Sequence, residues 1–517
     1  MTRNHWRRRA ALILASAAIG SLVVSSGAAA DDPTAGWLTS GNGARNQRNQ
    51  PAESVVTTAN VASLAPRWSS TAAGEITATP TVQSGVVYAS DHGGRVTASS
   101  TATGLVTWIT NLSAGANPEV PLTSPVIAGG SLLVGTDHGR VIALDRATGA
   151  ILWATVANQG PLAAITQSPI VDKGVVYVGV DSTEDLAAAN PGAACCSFRG
   201  TVSALDLATG AIRWTTYLVP DGFAGAPVSG GAPVLDTKSG TLYVTTGHNF
   251  WAPQATLDCF AATPGSISCQ EPANLADSVV ALEPATGAVK WTTRAAVGDI
   301  WNFDCLADYG DGSLCPNVGG SGQGFAGGAM LVKAKTKAGK PQDVLVAGQK
   351  SGRIWELSPA TGAVRWFTTV GPGGLLGGAG LGAATDDKRI YFSVANVEGQ
   401  PYSATGLGTG GSWGAIDPLT GAILWQTKDP NGAPDPGAVS VANGVVYGGS
   451  LGTGAGSATM VALDAKTGAT LWTYVADGSV VDGPSVVDGV VYWGSGYSFL
   501  GHGTTGSTLY AFSLNGQ

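Results

Sequence analysis

The chain is written in short β-branched runs separated by tight turns. Residues 80–90, PTVQSGVVYAS, and 484–494, PSVVDGVVYWG, each set two apolar runs about a Gly-containing turn, the pattern of a hairpin and not of a helix. A second pattern follows such hairpins: VIALDRATGAILW ends at Trp153, VSALDLATGAIRW at Trp214, VVALEPATGAVKW at Trp291, WGAIDPLTGAILW at Trp425 and MVALDAKTGATLW at Trp472. Weaker copies end at Trp108 (VTASSTATGLVTW) and Trp366 (IWELSPATGAVRW). These are seven complete units, and an eighth is split between LYAFSLNG at the C-terminus and LAPRW ending at Trp68. Four strands per unit in eight units predict an all-β, eight-bladed β-propeller whose two ends close the last blade.

Each piece of the repeat has a physical role. The Gly of the TG turn supplies a backbone conformation that a Cβ penalises, and the preceding Asp or Thr bonds the local backbone. The Trp four residues later falls on the outer strand, where its ring is expected to pack on the next blade and its N–H to reach a neighbouring carbonyl.

Composition agrees and narrows the partners. Gly accounts for 75 of 517 residues and charged residues for 12%, with a formal net charge of −8, which offers no basic surface for nucleic acid or anionic lipid. No linker-like stretch divides the chain, so residues 31–517 are expected to form one propeller. Residues 1–30 carry Arg7, Arg8 and Arg9, an apolar run and Ala28-Ala29-Ala30, the layout of a cleaved secretory signal. The expectation is a secreted or periplasmic protein without a transmembrane segment.

If strands run A to D from the axis outward, the TG turns are C–D connections. The long insertions then lie on the other face: 181–199, 248–277 and 396–411 as B–C loops and 298–324 as a D–A loop. Long loops gathered over one mouth of a propeller are the natural place for a site. All six cysteines fall in these insertions. Cys259 with Cys269, and Cys305 with Cys315, could each pin their own loop, leaving Cys195 and Cys196 with each other, although spacing alone leaves connectivity open. No nucleophile elbow, phosphate loop or CxxCH haem motif is present. DYGDGS at 308–313 is only a fragment of a calcium loop.

The ALDxxTGxxxW repeat resembles the eight-bladed quinoprotein dehydrogenase superfamily, and CCSFRGTVSALD with LVAGQKSG resembles its polyvinyl-alcohol-dehydrogenase branch. The resemblance implies pyrroloquinoline quinone (PQQ), a calcium ion, an alcohol substrate, small or polymeric, and an external electron acceptor. It also implies a Glu and an Asn on the cation, an Asp as base, and a basic residue on the quinone oxygens. Glu184 in VDSTED and Asn249 in TTGHNFW match the metal ligands. Lys350 in AGQKSG matches the basic position, with Cys195, Cys196 and Arg199 as further cofactor contacts.

Other positions depart from that pattern. GQGFAGG places Gly324 where the resemblance expects the catalytic Asp, Val228 stands where a Trp floors the cofactor, and Gly380-Leu381 replace a His-Trp pair. Asp299 and Asp304 on the long D–A loop are the candidate substitute carboxylates. Two functions are therefore open: an exported PQQ-type alcohol dehydrogenase, or a propeller that keeps the cavity as a binding scaffold or for altered chemistry.

Overall fold

The computed structural model describes residues 36–114, 117–379, 382–402, 408–452, 456–457 and 459–517. The expected signal segment and Gly380-Leu381 lie outside the described residues. The architecture is an eight-bladed β-propeller. Its innermost strands are Thr81–Gln83, Val126–Ala128, Ile170–Asp172, Val234–Asp236, Met330–Lys335, Ala384–Thr385, Val439–Ala442 and Ser485–Val487. Seven blades are built from consecutive antiparallel strands. In the eighth, Leu64–Thr71 pairs with Thr508–Leu514, with Trp68 opposite Ala511. The split repeat in the sequence is this closure. Among the described residues the α-helices are the single turn Glu184–Ala187 and Gln254–Ala262, and no helix is long and apolar enough to cross a membrane.

Burial follows strand position. Second strands such as Val86–Asp91 are almost wholly buried, whereas outermost strands such as Val106–Asn111 and Ile212–Tyr217 alternate with solvent. The repeat Trp closes each blade on the next. The indole N–H of Trp68, Trp108, Trp153, Trp214, Trp291, Trp366, Trp425 and Trp472 donates to a carbonyl of the following blade at 2.9 to 3.3 Å. The TG glycine sits beneath the ring. Gly210 has φ +72°, and a Cβ there would meet the Trp153 ring at 2.5 Å, so backbone and packing both require Gly.

The N-terminal segment does work that the repeat does not announce. Its backbone bonds the innermost strands of six blades in turn: Trp37 with Val82, Leu38 with Ile127, Ala44 with Leu235, Arg45 with Leu331, Gln47 with Thr385 and Arg48 with Val441. These partners lie beside the A–B turns, so residues 37–48 cover the axis on the face away from the long loops. Arg48, 3% exposed, donates to Val439 O at 2.9 Å and Thr79 Oγ1 at 2.7 Å. Burial lowers its pKa to about 10, against the pull of Asp482.

Trp214→Ala removes both the ring and its bond to Pro284 O, and Gly210→Ala forces a Cβ into Trp153. We expect Trp214→Ala to cost about 3 kcal/mol, the lower end for a buried aromatic because this one is half-buried, and Gly210→Ala to lower the melting temperature as well. Thermal denaturation is the check. An unchanged midpoint in both would remove the indole dock from the blade contacts.

Candidate active site

The insertions occupy the face expected of them, after the second strands of blades three, four and six and after the fourth strand of blade four. Disulfides join Cys195 to Cys196, Cys259 to Cys269 and Cys305 to Cys315. The vicinal pair is half-buried, with Cys196 against the core of blades two and three and Cys195 Sγ 3.9 Å from Asn302 Nδ2. It therefore meets the 298–324 loop across the mouth.

The matched positions separate into two groups. Glu184, 3% exposed, turns its carboxylate onto the backbone N–H groups of Ser197 and Phe198 at 2.7 to 2.9 Å, tying the loop just past the cysteine pair. Asn249 Oδ1 accepts from Asn274 Nδ2 at 2.7 Å and its Nδ2 donates to Ala224 O. The oxygens that a calcium ion would need are committed to protein, and among the described residues no group of three acidic, histidine or cysteine side chains could hold a metal. The donor set at Glu184 and Asn249 does not fit calcium. Arg199 turns to the rim, stacking 4.2 Å from the Tyr217 ring centroid and bonding Val219 O and Asp221.

The two loop acids are also held by backbone. Asp304 accepts from Asp311 N at 2.9 Å, Gly312 N at 3.2 Å and Leu314 N, so DYGDGS wraps a carboxylate and not a cation. Asp299 accepts from Ser321, Gly322 and Gln323 N–H at 2.7 to 2.9 Å. Asp299 and Lys350 belong to a central cluster with Asp181, Asp185, Asp277 and His248, all electrostatically coupled. A polar cavity of about 280 Å³ opens beside it, lined among others by Asp299, Gln323, Gln349 and Ser351.

Lys350 retains some solvent contact, yet it is enclosed by protein deep in the mouth. Burial lowers its pKa, with Asp185, Asp299, Asp181 and Glu398 opposing the shift. No described residue takes a hydrogen bond or ion pair from its Nζ. His248 is 4% exposed, with its ring centroid 5.4 Å from that of Phe250 and 5.5 Å from that of Trp301. Burial holds its pKa down to about 4, and its Nε2 has no hydrogen-bond partner. That atom lies 3.9 Å from Asp185 Oδ2. Burial first and Asp181 second raise Asp185 to about 7, so the contact joins a carboxyl to a neutral imidazole and is not an ion pair. Asp181, bonded to Thr166, Ser229 and its neighbour Ser182 N, is also raised by burial. Burial and Asp299 raise Asp277 well above the usual range.

The departures have steric causes. A Cβ on Gly324 would fall 2.6 Å from Gly247 Cα and 2.7 Å from His248 N, so a carboxylate there is blocked by backbone. Val228 is fully buried, and a Cβ on Gly179 would come within 2.1 Å of its Cγ1. A Trp at Val228 has no such room.

A family model matches residues 50–191, 199–374 and 410–516, most of the described propeller. The chain belongs to the PQQ_2 family. That family is described as outer membrane protein assembly factor BamB. The chain is 31% identical over 410 residues to polyvinylalcohol dehydrogenase of Sphingopyxis sp. (strain 113P3), covering 70% of this chain and 58% of that one. It is 27% identical over 532 residues to polyvinylalcohol dehydrogenase of Pseudomonas sp., covering 93% and 77%. The chain thus spans little more than half the length of the first of these relatives. The quinohemoprotein alcohol dehydrogenase from Comamonas testosteroni superposes with a TM-score of 0.72 over 95% of this chain and 82% of that one, at 23% identity, a likeness of fold.

Sequence reasoning reached Lys350 and Asp299 but passed over Asp181, Asp185 and His248, each a few residues or fewer from a motif residue it did single out. Asp185 supplies a pH dependence. Its pKa is about 7 folded and about 4 unfolded, so between those values the native state holds the extra proton and stability falls as pH rises. Between pH 5 and pH 8 the wild type should lose melting temperature relative to Asp185→Asn; His248, held to about 4 when folded, pulls both proteins the other way and cancels in the comparison. An equal change in the variant would contradict the buried placement of Asp185.

Proposed function

We propose that this PQQ_2 chain is an exported PQQ-type dehydrogenase that oxidises an alcohol, small or polymeric, and passes electrons to an external acceptor. The observation that carries this reading is Lys350: a cation with an uncommitted Nζ, at the centre of the long-loop mouth and among carboxyls, suits a ligand that presents carbonyl or carboxylate oxygens. The polyvinylalcohol dehydrogenase relatives point the same way. Lys350 would hold the quinone, with the Cys195–Cys196 pair on the same loop face. When bound, the quinone supplies a two-electron acceptor for the hydrogen removed from the alcohol carbon.

The rest of the chemistry belongs to the chain. Asp185 is the carboxyl placed to take the alcohol proton: it faces His248 and Lys350, and its pKa near neutrality suits a general base. Asp299 and Asp304 instead shape the 298–324 loop through the N–H groups they accept. His248 stays neutral beside Asp185 and puts no competing positive charge next to Lys350. A cation on Glu184 and Asn249 has no part in this scheme. A second reading, a propeller scaffold without redox chemistry, draws support from the blocked base position at Gly324 and from the PQQ_2 description.

Calorimetry with PQQ, followed by a dye-linked alcohol assay, separates the two. The wild-type chain should bind PQQ and Lys350→Ala should not, while circular dichroism of both stays the same. Asp185→Asn should bind PQQ but turn over slower by about 10²–10⁴, and the wild-type rate should rise with pH through about 7, where the base ionises. No PQQ binding by the wild type would reject the quinoprotein reading and leave the scaffold.

A further inference from the structure

Away from the central cluster, between blades six and seven, the loop that follows strand Ile423–Lys428 carries Asp429 and Asp435, and Ser450 directly follows strand Val445–Gly449. All three side chains are buried, Asp429 to 1% and Asp435 and Ser450 to 0% exposed. Asp429 Oδ1 accepts from Asn431 N at 2.7 Å and Ala433 N at 2.9 Å, which forms the turn. The remaining oxygens, Asp429 Oδ2, both of Asp435 and Ser450 Oγ, have no hydrogen-bond partner of acceptable geometry. They are nonetheless near one another, since each carboxyl feels Ser450 and Asp435 feels Asp429. No basic side chain acts on Asp435.

Two carboxylates buried side by side without a counter-charge cost far more than a few hydrogen bonds return. The backbone here does not relieve them: Asp435 N is spent on the carbonyls of Val394 and Ala395, and Ala433 O accepts from Gly411 N. Those same bonds stitch this loop to both ends of the 396–411 insertion over the mouth. We propose that Asp429, Asp435 and Ser450 hold a hard divalent cation, calcium, that clamps the blade-six insertion to the loop entering blade seven. The donor set is all oxygen, anionic and inside a fixed turn, as calcium prefers. The site is separate from the quinone reading and stands whether or not PQQ binds.

The test uses the full mature chain without PQQ, with calcium chloride alone as the probe and EGTA as the control. The wild type should bind one calcium per chain by calorimetry and melt several degrees higher in calcium than in EGTA. Asp435→Asn should lose both effects and, in EGTA, melt no lower than the wild type, because it removes a buried charge that nothing else balances. Ser450→Ala, which leaves the turn intact, should still bind, but at least about tenfold more weakly. A calcium response that persists in Asp435→Asn would overturn the proposal. So would a wild type that binds no calcium, because a proton shared between the two carboxyls would then be what keeps them buried.

Discussion

The fold depends on one repeated contact, an indole laid over a glycine and bonded to a carbonyl of the next blade. A blade alone is a small twisted sheet with apolar residues on both faces and an outer strand open to water. It has no stable monomeric answer to that problem. The Trp N–H fixes the angular step to the next blade, and the TG glycine allows the ring to approach the turn closely. Trp472 makes the last of these bonds to Leu64 O, so the ring closes through the N-terminal strand that also completes blade eight. Local hydrogen bonding and global closure are thus satisfied by the same side chain.

Closing the ring leaves an axial channel, and the chain treats its two ends differently. Residues 37–48 cross one end and satisfy the inner strands of six blades, with Arg48 buried among carbonyls. The other end receives the long insertions. A site at the axis is then open to solvent from one side only, which is how Lys350 and several acidic side chains come to be enclosed and shift their pKa values together. The enclosure follows from a segment that the repeat pattern does not contain.

The blades, their closure and the face of the insertions were legible in the sequence because they rest on period and on turn chemistry, which are local. Trp68, at the opposite end of the chain from LYAFSLNG but paired with its Ala511 in space, was readable because the missing half of a repeat is itself a pattern. The chemistry was less legible. Glu184 and Asn249 have the right residue types at the right loops, but the structure commits their oxygens to Ser197, Phe198 and Asn274. Asp185, one residue on from Glu184, faces His248 instead. A loop turns successive side chains in different directions, and no periodicity in an irregular insertion tells which one faces the mouth. The 37–48 plug was missed for the same reason, since its bonds are backbone bonds to strands as distant in sequence as Val441.

The position of the base we propose then follows from packing. At Gly324 the backbone of the loop entering blade five lies against Gly247 and His248, so any side chain there would push the 248–277 insertion outward. That close approach sets His248 in place, its ring against Phe250 and Trp301 and its Nε2 toward Asp185. Filling Gly324 would displace the imidazole, and with it the neighbour of Asp185, whose pKa is about 7. With glycine at this point, the proton acceptor we propose lies across the mouth on the blade-three insertion, where the helical turn Glu184–Ala187 presents Asp185. The glycine that removes one candidate base is therefore the residue that makes room for another.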